Sequence, residues 1–254
     1  MEIHVVPCGY LKVKATEMVK PWTEEKIRSR YKLDGDGNMQ LAMNALLVME
    51  QDSKVLIDPG TADFLPERIK REYGFELPQT LEEVLTGMHV DPESITDVVF
   101  THLHFDHGSG AFLRVPGNIV KRFPGARYHV LKEHYRYALR PDRVEASSFS
   151  TLFLRRLDKI WWLEDWDRDW ITFEIFNGHT RSMVIPVIRS GEERVYFLSD
   201  LLPLEVFLDA GTWCGYDLDP ELQLREKQEF LKKLRPGSRL IFFHDPLKES
   251  LIYS

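Results

Sequence analysis

Three histidines and an aspartate fall within six residues, His102-Leu103-His104-Phe105-Asp106-His107, directly after an apolar run that begins at Asp97 and ends at Thr101. In an extended segment, side chains two apart point to the same side, so His102 and His104 are expected to face one point. A turn after them lets Asp106 and His107 swing to a second point close by. Imidazole and carboxylate donors suit Zn, Fe, Mn or Co, and the lack of Cys among them favours Zn. The competing reading is a polar surface turn. Clustering of this density at the end of an apolar strand argues for metal instead.

The elements that must position this cluster are short β-branched and aromatic runs: Ile3–Val6, Ala45–Glu50, Val55–Ile57, Asp97–Thr101, Tyr128–Leu131, Trp170–Phe176, Val184–Arg189, Arg194–Leu198 and Arg239–Phe243. Helices are expected between them. One runs from Thr80 to Met88, with Thr80 at the cap and Glu82 and Glu83 in the first turn. Another runs from Pro220 to Leu234, after Asp219 and before Pro236-Gly237. Leu131–Leu139 and Phe149–Ile160 also read as helical. Strands in series followed by mixed strands and helices indicate a layered α/β or α+β domain rather than an all-β sandwich. Lys20–Met43, containing Asp34-Gly35-Asp36-Gly37, reads as a long loop whose Asp-Gly pairs make a solvated turn. The stretch at about 135–170 carries Trp161, Trp162, Trp166 and Trp170 among many charges and reads as a helical insertion. Its tryptophans either line an apolar pocket or pack on the sheet, and packing is the more economical account.

The bulk numbers narrow the partners. The 254 residues are 43% hydrophobic and 29% charged, with net charge −7 and no Lys/Arg block, so no nucleic-acid footprint is present. Two distant cysteines, Cys8 and Cys214, exclude a disulfide scaffold. The N-terminus has no signal-peptide pattern and no run reaches the length of a membrane span, so a cytoplasmic location is expected. His4, His89, His129 and His134 lack a strand-end context and read as surface or core histidines.

The spacing His-x-His-x-Asp-His resembles the metallo-β-lactamase superfamily, and four other motifs carry the resemblance in the required order. Val55-Leu56-Ile57-Asp58-Pro59-Gly60 ends an early strand in Asp. Asn177-Gly178-His179-Thr180 supplies a His after a strand. Val195-Tyr196-Phe197-Leu198-Ser199-Asp200 ends a later strand in Asp, and Leu240-Ile241-Phe242-Phe243-His244-Asp245 ends one in His. The resemblance implies a single four-layer αβ/βα sandwich over residues 1–254, two mixed β-sheets flanked by helices. It implies one metal on His102, His104 and His179, a second on Asp106, His107 and His244, and Asp200 bridging them with a hydroxide. Asp58 would orient a ligand histidine by hydrogen bond. Two divalent ions, Zn2+ above all, would activate the hydroxide and polarise the scissile oxygen, so no Ser or Cys nucleophile is needed. Asp106 or Asp200 would pass a proton to the leaving group.

Among the branches of the superfamily, the wording Thr-His-Leu-His-Phe-Asp-His-Gly is most similar to the quorum-quenching lactonase-like enzymes. So are the ligand spacings, 21 residues from His179 to Asp200 and 44 from Asp200 to His244. That points to a metal-dependent hydrolase opening a lactone or cleaving an ester-like bond of a small molecule. His104, where flavodiiron proteins carry Glu, argues against that branch. The ten residues after His244 are expected to leave no room for the helical domain of a glyoxalase II. One departure stands out: the related lactonases carry a Tyr three residues after the bridging Asp, and this chain has Pro203, with Tyr196 and Tyr216 as substitutes to consider. The related lactonases also suggest a homodimer. The alternatives are a mononuclear-iron sulfur dioxygenase, a phosphodiester or phosphotriester hydrolase, and a non-catalytic metal-binding protein. Asp245 reads either as a partner of the ligands or as part of a turn with Pro246.

Overall fold

The computed structural model describes every residue from Met1 to Ser254. The chain forms two compact units: one comprises Met1–Gly9, Met43–Lys70 and Glu76–Asp169, the other Tyr10–Ala42, Arg71–Phe75 and Trp170–Ser254. Each is built on a mixed sheet flanked by helices. Neither contains a helix long and apolar enough to cross a membrane.

The first sheet has six strands: β1 (Glu2–Lys14), β2 (Asn38–Glu50), β3 (Ser53–Ile57), β4 (Asp97–Val99), β7 (Arg127–Val130) and β8 (Ile160–Trp162), in that spatial order. A separate hairpin, β5 (Phe112–Val115) with β6 (Asn118–Lys121), lies between β4 and β7 in the chain. β2 and β3 pair antiparallel, while β3, β4, β7 and β8 pair parallel. Parallel strands covered on both faces lose the alternation of a half-exposed strand. Accordingly Val55, Leu56, Ile57, Val98, Val99 and Phe100 are all buried. The helix Leu81–Gly87 begins where its sequence says it should. Thr80 accepts the amide of Glu83, and the Glu83 carboxylate accepts the amide of Thr80, a complete capping box.

The second sheet runs β13 (Ser250–Ile252), β12 (Arg239–Ile241), β11 (Glu193–Phe197), β10 (Met183–Ser190), β9 (Ile171–Phe176). Only β11–β12 is parallel. The helix Pro220–Lys233 packs here, placing Phe230 against Phe176 and Tyr196 with ring centroids 5.8 and 5.5 Å apart. Asp219 caps it through the amide of Leu222.

Three expectations need correcting. The segment 20–43 is not all loop: Glu24–Arg28 is helical, capped by Thr23, and β2 already starts at Asn38. Its Asp-Gly turn is closed internally, with Asp34 accepting the amides of Asp36 and Asn38 at 3.0 and 2.9 Å. The helix expected over Phe149–Ile160 is one turn, Thr151–Leu154. Ile160–Trp162 is instead a strand pairing with β7, because β-branched and aromatic side chains fit an edge beside a buried parallel strand better than a helix.

The tryptophans of that segment differ: Trp161 is 51% exposed, whereas Trp166 is packed into a polar cluster. Trp166 donates from its indole to the Arg168 carbonyl at 2.9 Å, lies under the Arg168 guanidinium, and meets His129 edge-on. Arg168 reaches Asp97 at the start of β4, where Arg127 and His129 also donate, at 2.8, 2.9 and 2.7 Å. Burial works to raise the Asp97 pKa. The hydrogen bonds of His129 and Thr96 and the Arg168 charge outweigh it and hold the carboxyl below its usual range. A depressed carboxylate stabilises the fold above its unfolded pKa and loses that contribution as pH falls. Asp97→Asn should therefore cost about 3 kcal/mol at pH 7, since it leaves two guanidinium groups facing a neutral side chain. That corresponds to a melting temperature lower by roughly 6–12 °C. The gap to the native protein should narrow below about pH 4, where the carboxyl of the unfolded chain begins to protonate while the native one, held lower, stays charged. Thermal melts at pH 7 and pH 3.5 check both statements, and a gap that widens with acid would refute the assignment.

Candidate metal centre

In the first unit the candidate residues sit at the ends of two adjacent parallel strands. Asp58 follows β3 and Thr101-His102 follows β4. Asp58 adopts φ +48°, in the left-handed region that non-glycine residues rarely enter, and such strain gathers at functional sites. Its two oxygens account for the cost. One accepts the Thr101 amide at 2.8 Å; the other accepts the Thr101 hydroxyl and Nδ1–H of His107, the latter at 2.9 Å. Because the Thr101 hydroxyl donates to Asp58, its lone pair accepts Nδ1–H of His102 at 3.0 Å. Asp58 thus orients two imidazoles, His107 directly and His102 through Thr101. Both rings carry their proton on Nδ1 and so present the Nε2 lone pair.

His104 is held the other way round. Its Nε2–H donates to Glu145 at 2.9 Å, which leaves the Nδ1 lone pair for a ligand role. The ring centroids of His102 and His104 are 4.5 Å apart, those of His102 and His107 4.1 Å. Asp106 occupies the first turn of the short helix Phe105–Gly108, partly exposed, with a carboxylate oxygen 3.9 Å from Nε2 of His107. That helix is followed by Gly110, whose amide donates to the Gly60 carbonyl at 2.8 Å. A Cβ at Gly110 would stand 2.2 Å from the Pro59 carbonyl oxygen, so only glycine permits the approach. Asp58, His102 and His107 converge within 4.8 Å. The hydrogen bond to His107 explains why Asp58 is there, as an orienting acceptor.

In the second unit, His179, Asp200 and His244 gather at the ends of β9, β11 and β12. Nε2 of His179 lies 3.0 Å from one oxygen of Asp200, and Nε2 of His244 lies 3.4 Å from the other. The distal nitrogens are again held by acceptors. Nδ1–H of His179 donates to Asp217 and that of His244 to the Ala42 carbonyl, at 2.9 and 2.8 Å. The helix Pro220–Lys233 fixes the loops: Glu226 accepts the amides of Asn177 and Gly178, and Gln223 donates to the Asp200 carbonyl at 2.9 Å. Gly178 must be glycine, since a Cβ there would meet the Gln223 backbone at 2.3 Å. Ser199, at φ +43°, turns the chain into Asp200 as Asp58 does after β3.

The electrostatics call for a cation. Burial alone would lower the His179 pKa, yet Asp200 and Asp217 on either side raise it to about 10. Two buried carboxylates on one imidazole demand a positive charge, which a proton or a metal ion can supply. The His/Asp donor set, with each imidazole oriented by an acceptor, fits a divalent metal. Nucleophilic thiols do not compete. Burial pushes Cys8 up to about 12, and Cys214 well above its ordinary value.

Sequence reasoning missed several contributors: Thr101, Glu145, Asp217 and His134, whose Nε2 accepts the Leu103 amide at 2.8 Å between two candidate ligands. Thr101 stands within the motif, next to His102, without its role being read; Glu145, Asp217 and His134 lie 41, 38 and 31 residues from their partners, so no motif announces them. The two substitutes considered for the missing tyrosine differ in exposure: Tyr196 is buried, whereas Tyr216 is 41% exposed. Tyr196 is buried against Phe230, and Tyr216 sits beside the Lys14 backbone, Glu17 and Tyr73. Pro203 itself supplies only a carbonyl, which accepts the His244 amide. Asp245 serves a turn, accepting the amides of Leu247 and Lys248 and that of Glu205.

The chain belongs to the metallo-β-lactamase superfamily, whose family model matches residues 40–243. Among solved structures it is similar to a probable metal-dependent hydrolase from Staphylococcus aureus, at TM-score 0.88 and 21% identity over 100% of this chain and 92% of that one. It is also similar to AidC, a dizinc quorum-quenching lactonase solved with a product, at TM-score 0.80 and 19% identity over 98% of this chain and 89% of that one. A third, the hydrolase AbOPH, matches at TM-score 0.77 and 21% identity over 99% and 90%. No curated protein matches in sequence. At these identities the structures establish the fold.

Proposed function

We propose that the chain is a dinuclear metal-dependent hydrolase that opens a lactone or cleaves an ester-like bond of a small molecule, and that its 254 residues act as one domain. His102, His104 and His179 would hold one metal, Asp106, His107 and His244 the other, and Asp200 would bridge them. The observation that carries this reading is the uniform orientation of the imidazoles. Each has one nitrogen held by Thr101, Glu145, Asp58, Asp217 or the Ala42 carbonyl, which commits its other nitrogen to ligation. Two ions so held would supply a water of lowered pKa and polarise the scissile oxygen.

The residues of the chain do the rest. Asp58, Asp217 and Glu145 fix the tautomers, and the Ala42 carbonyl does so for His244. Asp106, at the partly exposed rim, and Asp200 are placed to carry a proton toward a leaving group. Pro203 stands where the related lactonases carry a Tyr, and the Tyr196 ring is buried against Phe230. That favours a lactone or ester other than the acyl-homoserine type. The dizinc content of AidC supports zinc, and the lactonase neighbours support a small-molecule substrate. The test is elemental analysis of protein purified without chelator, followed by lactone, ester and phosphodiester assays. About two first-row metals per chain with hydrolysis of a lactone or ester supports the reading. About one iron per chain with oxygen uptake on a persulfide overturns it in favour of a sulfur dioxygenase. Two metals with no turnover on any of the three classes leaves a metal-binding protein.

A further inference from the structure

Glu145 is an anomaly as a structural residue. It lies in a charged surface stretch, yet its side chain is only 3% exposed. A buried carboxylate is costly unless its oxygens are all engaged. One oxygen accepts Nε2–H of His104 at 2.9 Å, and the other accepts the Tyr137 hydroxyl. The loop that presents Glu145 is closed by its own hydrogen bonds. The Asp142 amide donates to the Tyr137 hydroxyl at 3.1 Å, and the Val144 amide donates to Asp142 at 3.0 Å. Four residues further on, Phe149 meets the His104 ring edge-on at 4.8 Å and the Tyr137 ring at 6.1 Å. The His104 imidazole is thereby fixed both in tautomer and in ring plane by one short segment.

We infer that Glu145, braced by Tyr137, is a positioning residue for His104. The segment Tyr137–Phe149 would then belong to the metal-binding apparatus rather than being a surface insertion. The inference rests on the proposed ligand role of His104. A carboxylate that accepts from a ligand imidazole fixes which nitrogen keeps the lone pair and raises that nitrogen's basicity, and loss of such a partner typically weakens metal binding 10- to 100-fold. Glutamine keeps one acceptor for Nε2–H, whereas alanine keeps none.

The test is chelator competition for zinc, with cobalt-substituted protein read by its visible d–d absorption, on Glu145→Ala, Glu145→Gln and Tyr137→Phe. Glu145→Ala should weaken zinc binding about 10- to 100-fold and shift the cobalt spectrum. Glu145→Gln should recover most of the affinity, and Tyr137→Phe should fall between. Wild-type affinity and spectrum in Glu145→Ala would overturn the inference. Should Glu145→Ala fail to fold, Tyr137→Phe decides, and an unshifted affinity and spectrum there is the overturning result. A native protein that binds no zinc would instead overturn the metal reading itself, which separates the two failures.

Discussion

Asp200→Ala should yield a folded chain that has lost the proposed hydrolytic activity, with kcat reduced at least ~10³-fold and metal content well below that of the native protein. The geometry makes this the most severe single change at the centre. The two oxygens of Asp200 face different imidazoles, Nε2 of His179 at 3.0 Å and Nε2 of His244 at 3.4 Å, so one side chain serves both groups. Removing it takes away the larger of the two carboxylate influences that raise the His179 pKa, leaving Asp217, and so weakens the attraction for a cation. The fold should survive, because the loop is secured through the backbone: Gln223 donates to the carbonyls of Asp200 and Leu201, and both persist in alanine. Asp200→Asn keeps the shape and loses the charge, and it should behave nearly as badly if electrostatics dominate. Circular dichroism, elemental analysis and kcat on the same preparation check the prediction. Activity within tenfold of native would sink the metal-centred mechanism.

Much of this was legible in the sequence because strand ends are legible. An apolar run stops where the chain leaves the sheet, and a ligand placed at that stop needs only a local signal. Asp58, His102, Asp200 and His244 all stand one to three residues beyond a strand, where their motifs put them. The helix at Leu81–Gly87 was equally readable, since its cap is a local exchange between Thr80 and Glu83. The partners of the ligands were not. Glu145 lies 41 residues from His104 and Asp217 38 from His179, and both reach their histidines only through loops whose course depends on tertiary packing. The segment with the tryptophans was misread in part for the same reason. Ile160–Trp162 is apolar enough for either period, and its edge position beside β7 decided for strand. His134 illustrates the converse: nothing in its local sequence sets it apart from other core histidines, and its task is to accept one buried amide between two candidate ligands.

Asp58→Asn is the more discriminating substitution, because it changes hydrogen-bond polarity while conserving volume and backbone. Asn tolerates the left-handed region well, so the φ of +48° is no obstacle. The difference lies in what the side chain can accept. The carboxylate takes the Thr101 amide on one oxygen and both the Thr101 hydroxyl and His107 Nδ1–H on the other. A carboxamide has one oxygen. If it keeps the Thr101 amide, its NH2 group faces two former donors. The lowest-cost escape for His107 is to move its proton to Nε2 and accept at Nδ1. That tautomer removes the lone pair proposed to bind metal. The Thr101 hydroxyl must turn as well, and it can then no longer accept from His102 while donating to Asp58. Asp58→Asn should therefore leave a folded protein with about one metal per chain instead of two, and with activity reduced ~10²-fold or more. Asp58→Ala, which leaves buried donors with no acceptor at all, should in addition cost about 3–5 kcal/mol of stability. Metal stoichiometry and thermal melts on the two variants separate the effects. Native stoichiometry and native activity in Asp58→Asn would show that the His107 tautomer is set by something other than Asp58.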